Sequence, residues 1–165
     1  MLLVTGATGH SGEWFINILK NNKYHKRFRC TVRNTSNKSY LNNSGLDIEF
    51  VTGDLKESIF ANAALDKITV IVNFTGLKCV KNLVNSHNMK NVKWIISVHS
   101  TAIFSKYKDL AKEYIDIENC LIDSGKKYTI VRPTMIYGSA KDRNMSKLIK
   151  YIDKFRFFPV FGNGA

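Results

Sequence analysis

Leu2-Leu3-Val4-Thr5-Gly6-Ala7-Thr8-Gly9-His10-Ser11-Gly12-Glu13-Trp14 is the stretch that decides the reading of this chain. Leu2–Val4 has the composition of a buried strand, and a helical pattern begins at Ser11 and runs to about Asn22. The glycines between them each have a task. Gly6 permits the tight turn, Gly9 leaves room for a pyrophosphate to approach the backbone, and Gly12 lets the helix pack against the strand. The free N–H groups and positive end of the helix at Ser11–Trp14 then face the phosphates of a dinucleotide. A purely structural turn is the competing reading, and the strand-turn-helix context with repeated β-α units behind it weighs against that.

Outward from this turn, apolar β-rich runs alternate with helical patterns. Strands are expected at Phe28–Val32, Ile48–Val51, Val70–Phe74, Trp94–Val98 and Tyr128–Val131. Helices are expected near Glu57–Leu65, Leu77–Met89, Lys106–Asp123 and Met145–Phe155. Several strands are apolar on both faces, which predicts an α/β fold: a doubly wound parallel sheet covered on both sides, in three α/β/α layers. The polar segment Asn34–Ser44 reads as one mobile loop, and no repeat or linker divides the chain, so 1–165 is read as a single domain.

Composition narrows the partners. The 25 Lys and Arg against 13 acidic residues give a formal charge of +12, which favours anionic ligands: a dinucleotide, a sugar nucleotide, nucleic acid or an acidic membrane surface. The basic residues, among them Lys20, Lys23, Arg27, Arg29, Lys78, Lys81, Lys106 and Lys147, are scattered, as on a solvated surface. No helix-turn-helix, RNP or zinc signature supports nucleic-acid binding. Cys30, Cys79 and Cys120 lie far apart without metal-ligand spacing, so no metal site and no disulfide framework is expected. Met1–Val4 reaches Thr5-Gly6 too soon for a signal peptide, and no apolar run approaches a membrane span. A cytoplasmic protein is expected, with self-association through the apolar Phe157–Phe161 stretch.

The other strand ends carry polar residues where open parallel sheets bind ligands. Val32-Arg33 ends the second strand without the acid that suits ribose hydroxyls; Arg33 suits a 2′-phosphate, or is a surface arginine. Gly53-Asp54-Leu55 and Asn73-Phe74-Thr75-Gly76 follow the third and fourth. With these in place the chain resembles the short-chain dehydrogenase/reductase superfamily, in its extended and atypical, NAD-dependent epimerase/dehydratase-like branches. The TGxxGxxG turn matches at Thr5, Gly6, Gly9 and Gly12; Asp54 matches the adenine-contacting Asp; Ser100 stands in the catalytic serine's place; Arg132-Pro133-Thr134-Met135-Ile136-Tyr137-Gly138 matches RPxxxYG. The resemblance implies a Rossmann fold holding NADP, or NAD, through Thr5, Gly6, Thr8, Gly9, His10, Ser11, Gly12, Arg33, Asp54, Leu55, Thr75, Gly76, Pro133 and Ile136.

Two departures limit what it implies about chemistry. The catalytic YxxxK pair is missing: Tyr107 is followed four residues later by Ala111, Tyr114 by Glu118, and registering on Glu118 puts Leu110 at the tyrosine position. Ser100 and Tyr107 remain as catalytic candidates, with His99 and Tyr137 as other proton carriers. Tyr107, Leu110, Tyr114, Ile117 and Leu121 also repeat at the spacing of a core-facing stripe. The second departure is length, since extended members continue past Gly162-Asn163-Gly164 into a substrate-binding lobe. The expected function is therefore an NAD(P)-binding oxidoreductase or epimerase of the sugar-nucleotide type, in surface polysaccharide synthesis. The alternative is a dinucleotide-binding module without chemistry, redox-sensing or accessory.

Overall fold

A computed structural model describes residues 1–106, 108–138, 145–158 and 162, with only the backbone of Leu77, Lys78, Lys108 and Leu110. The candidates Tyr107 and Asn163-Gly164, and Pro159–Phe161 of the apolar stretch, lie outside the described residues, as does the Leu110 side chain. The chain divides into two compact units, Met1–Pro133 and Thr134–Ala165.

In the first unit the elements run β1 (Leu2–Thr5), α1 (His10–Asn21), β2 (Phe28–Val32), α2 (Ser39–Asn42), β3 (Ile48–Thr52), α3 (Ser58–Ala64), β4 (Val70–Asn73), α4 (Leu77–Val84), β5 (Trp94–Val98), α5 (Lys108–Asp123) and β6 (Lys127–Val131). Short 3-10 turns cover His87–Asn91 and Thr101–Phe104. All strand pairings are parallel, in the order β3-β2-β1-β4-β5-β6. The order reverses between β1 and β4, and the crevice beyond their carboxyl ends is where such a sheet receives a ligand. The fold is the doubly wound one expected from the alternation of elements.

Burial follows from the pattern. One face packs Leu3, Ile71 and Ile95 against Ala61 and Ala64 of α3, Val80 and Leu83 of α4, and Ile117 and Leu121 of α5. The other packs Val4, Phe28, Cys30 and Val32 against Ile16 of α1 and Leu41 of α2. Of the helical stripe, Ile117 and Leu121 thus face the core. Cys30 is a buried free thiol, pushed up to about 12 by burial.

Three details differ from the sequence reading. Asn34–Ser44, expected to be a loop, contains the one-turn helix α2, because its single apolar anchor Leu41 is buried against the second core. The helix expected over Leu77–Met89 stops at Val84, and Ser86 donates to the Asn82 carbonyl at 2.6 Å before the chain resumes as a 3-10 turn. Arg29, counted among the solvated cations, is 7% exposed. Its guanidinium pairs with Glu49 at 2.7 Å and donates to the carbonyls of Ala64 and Asp66, both at 2.9 Å, so it satisfies the open carbonyls at the end of α3. The second unit contains α6 (Met145–Phe155), in which the rings of Tyr151 and Phe155 meet at a tilt, one turn apart, with centroids 4.8 Å apart.

Candidate functional site

The turn between β1 and α1 is built as its glycines demand. Gly6 has φ +71°, and a Cβ there would meet the Phe74 carbonyl carbon at 3.0 Å and the Thr75 nitrogen at 3.1 Å, so this residue carries the turn across the end of β4. Gly9 caps α1 in extended conformation; its N–H donates to the Gly6 carbonyl at 3.0 Å, and its carbonyl accepts from Glu13 N–H at 2.8 Å. The N-cap, being glycine, makes no side-chain cap bond. The first-turn N–H groups at Ser11 and Gly12 therefore keep the capacity to bind an anion at the carboxyl edge of the sheet.

Beneath the turn, Asn73 ties three strand ends together. It is fully buried at the end of β4; its Oδ1 accepts from the Thr5 and Thr75 hydroxyls, each at 2.5 Å, and its Nδ2 donates to Ser97 Oγ at 3.0 Å. The amide thereby fixes the ends of β1, β4 and β5 around the point where the strand order reverses. The sequence marked Asn73 only as one of the polar residues at a strand end and gave Ser97 no part; an Asn ending an apolar strand was the available signal for the tie, since a buried amide must find partners.

The remaining cofactor candidates surround this edge in part. Arg33 is exposed just past β2, with its backbone N–H donating to Ser36 Oγ at 3.1 Å. Asp54 is half-buried and its carboxylate accepts from Lys56 N–H at 2.9 Å, an Asx turn that holds the chain after β3. Leu55 packs into the core and its carbonyl accepts from Asn82, so it contributes by shaping the turn. Gly76 opens α4 with free space where a Cβ would stand. Thr8 and His10 are half-buried on the glycine turn itself. Pro133 ends the first unit, whereas Ile136 and Tyr137 belong to the second and are exposed within it.

Around β5 and β6 the structure reveals an ionic network. His99 Nδ1 lies 2.9 Å from Glu118 Oε1, and Glu118 accepts two hydrogen bonds from Arg132, one of them Nε at 3.0 Å. His99 Nε2 is buried and has no hydrogen-bond partner among the described residues. Burial holds the imidazole below its ordinary value, against the pull of the Glu118 carboxylate and with Arg132 adding to the depression. Burial would raise the Glu118 carboxyl, but Arg132 and His99 outweigh it and hold that group below the usual range. His99 is thus a neutral donor to a charged carboxylate. Ser100 caps the following 3-10 turn, accepting from Ala102 N–H at 3.1 Å. Its hydroxyl proton stays available for another acceptor.

These depressed values set a pH dependence. A folded pKa below the unfolded one adds stability that is present above the unfolded value and is lost as pH falls through the folded value. For His99 the loss begins below its ordinary value of 6.5. Thermal unfolding followed from pH 8 downward should show a fall in Tm below about pH 6.5, and His99→Gln should flatten it. An identical slope in the variant would remove His99 from the effect.

Among the described residues no three His, Cys, Asp or Glu side chains gather to hold a metal ion, and no helix is long and apolar enough to cross a membrane.

The comparisons agree with this geometry. The family model described as NAD(P)H-binding matches residues 6–154. Among solved structures, an NADPH-dependent quinone oxidoreductase from Escherichia coli is similar at 26% identity and TM-score 0.65, over 81% of this chain and 47% of its own. The enzyme WbmH of Bordetella bronchiseptica, in complex with NAD+, is similar at 13% identity and TM-score 0.74, over 93% of this chain and 62% of that one. A nucleoside-diphosphate-sugar epimerase from Staphylococcus aureus is similar at 22% identity and TM-score 0.69, over 93% and 54%. The last two likenesses show the fold alone. The chain spans about half the length of these structures. No curated protein matches the sequence.

Proposed function

The chain belongs to the NAD(P)H-binding family, and on that premise we propose that it is the cofactor-binding part of an NADP(H)-preferring oxidoreductase of the extended or atypical short-chain dehydrogenase/reductase class. The observation that carries this reading is α1 capped by a glycine, behind a turn whose glycines leave the backbone bare, at the point where the strand order reverses. Ser11 and Gly12 N–H groups would hold the pyrophosphate, with Gly9 allowing the approach. Thr75 and Gly76 would line the path along β4, Asp54 the adenine, and Pro133 the nicotinamide side. When bound, the cofactor supplies or accepts a hydride.

A quinone-type acceptor suits these residues best. The helix that supplies an acid/base tyrosine and lysine in related enzymes has neither at the required spacing, so an alcohol substrate lacks a positioned proton carrier. A quinone that accepts the hydride becomes a hydroquinone monoanion, whose phenolic oxygen, with an ordinary pKa of ~10, takes its proton from water and needs no positioned acid. Ser100 would donate to the reacting oxygen. Retention of Ser100 and of the Arg132–Gly138 motif favours a second reading, nucleotide-sugar chemistry serving surface polysaccharide, with Tyr107 as the proton carrier. In both, the protein works in the cytoplasm. The test is loss of NADPH absorbance with menadione or with UDP-sugars. Turnover of menadione alone supports the first reading and UDP-sugar turnover the second; NADPH binding without either supports the module that binds and does not react.

The NADP preference rests on Arg33. Pairing an exposed guanidinium with a 2′-phosphate, screened by solvent, is worth roughly 1 kcal/mol. Calorimetry should find NADPH bound about five- to tenfold tighter than NADH, with the gap closed in Arg33→Ala. Equal affinities in the unsubstituted chain would remove this assignment.

A further inference from the structure

Lys67, Lys90, Lys93, Lys126 and Lys127 are distant in sequence, yet the parallel sheet gathers them on one edge. The register pairs Val70 with Trp94 and Trp94 with Lys127, so Lys93 and Lys126 stand one residue ahead on neighbouring strands, with Lys67 just before β4. Adjacent strands lie about 4.8 Å apart. Lys126 Nζ donates to the Lys90 carbonyl at 3.0 Å, Lys90 Nζ lies 2.9 Å from His87 Nε2, and Lys127 Nζ sits 4.5 Å from the centre of the Trp94 ring. None of the five makes an ion pair with a carboxylate among the described residues.

On the other half of the same edge the arginines are paired, while Lys20, Lys23 and Lys26 stand exposed at the end of α1 and before β2. Arg27 approaches Asp47 at 4.0 Å and Glu49 at 3.7 Å, and Arg29 pairs with Glu49. Lysines therefore line the amino ends of β4, β5 and β6, opposite the glycine turn, with Asp66 and Asp123 as the acids of the same connections. Charges this close fall within the Debye length of about 8 Å and repel until an anion arrives.

We propose that this edge docks an acidic segment of a partner protein, an extended run of Asp and Glu residues. The cations are all lysines, flexible point charges that can follow carboxylates spaced along an extended chain, without the planar guanidinium fork that grips one carboxylate or phosphate two-pronged. The Trp94 ring carries Lys127 on one face and donates its Nε1 proton to Thr129 Oγ1 at 3.1 Å, so it is not a free platform for stacking bases. Ile68 and Val92 at this edge are buried, and the exposed apolar residues described nearby, Ile122 and Tyr128, fall short of the continuous apolar face that enters a bilayer. Three strand ends span roughly 10–15 Å, the reach of about four extended residues.

The proposal does not depend on the cofactor reading. Its test is fluorescence anisotropy with a labelled deca-glutamate peptide at low salt. Lys93→Glu, Lys126→Glu and Lys127→Glu combined should weaken binding at least tenfold, and the milder triple change to Gln at the same positions severalfold. Lys81→Glu, Lys112→Glu and Lys147→Glu combined alter the net charge equally from exposed helix positions and should weaken binding less than twofold. Urea midpoints check that each variant folds; where the Glu triple does not, the Gln triple decides. Equal losses in the two Glu triples, absence of peptide binding, or tighter binding of an oligo-dT strand or phosphatidylserine vesicles would each overturn the proposal.

Discussion

Gly12→Ala is expected to abolish NADPH binding and to destabilise the first unit by several kcal/mol, about the cost of overpacking a rigid core or more. A Cβ at this buried position would stand 2.7 Å from Ala7 Cα and 2.9 Å from Ala7 C, and closer still to the Gly6 carbonyl oxygen. These are backbone atoms of the turn itself, so relief requires moving α1 off β1. Against a total stability of roughly 5–15 kcal/mol the loss is large. Gly9→Val separates binding from folding. Gly9 is exposed, and its Cβ would meet only the Gly6 carbonyl oxygen, at 3.3 Å, a contact that a small shift relieves. That variant should keep its urea midpoint to within about 1 kcal/mol and lose at least tenfold in NADPH affinity, because the branched side chain occupies the proposed pyrophosphate position. A folded Gly9→Val with unchanged affinity would move the cofactor elsewhere, and a Gly12→Ala of ordinary stability would refute the close packing.

Why Gly6 and Gly12 could be read from the sequence, and Asn73 and Arg29 less easily, has a physical answer. A glycine turn is a local device: strand, turn and helix are contiguous, so spacing alone encodes it. Strand identity was equally local, since apolar runs such as Phe28–Val32 and Trp94–Val98 need burial on both sides whatever they pack against. Arg29 sits within such a run, and only the arrival of Ala64 and Asp66 carbonyls from 35 and 37 residues away makes its burial tolerable. Leu41 likewise became an anchor only once the second core existed around it.

The lysine edge shows the same limit more sharply. Along the chain these cations look dispersed, and a solvated surface was the natural reading of their spacing. Parallel connectivity starts each strand at the same edge, so residues preceding β4, β5 and β6 become neighbours although 26 to 33 positions separate them: Lys67 to Lys93 is 26, Lys93 to Lys126 is 33. No sequence window of ordinary length registers that.

The network of His99, Glu118 and Arg132 joins the last two strands to α5, and breaking it should be the second large effect. Glu118 has a side chain only 7% exposed, and removing Arg132 leaves its charge with His99 as sole described partner. Stranding one member of a fully buried pair costs about 3–5 kcal/mol. The Arg132 side chain is 32% exposed, so water screens part of the interaction and Arg132→Ala should lose roughly 2–3 kcal/mol. Glu118→Gln keeps an oxygen for the His99 Nδ1 proton and should lose less. Because the two residues act on one another, the double variant should fall short of the summed single losses by about 1 kcal/mol or more. The consequence reaches the candidate site, since Ser100 follows His99 and Pro133 follows Arg132 directly in the chain. Loosening the network should therefore also weaken NADPH binding severalfold, while Arg33→Ala, which touches none of these groups, should leave the urea midpoint unchanged. If Arg132→Ala unfolds within about 0.5 kcal/mol of the unsubstituted chain, the carboxylate is better solvated than its burial indicates, and the strand ends are held by the sheet and by Asn73 alone.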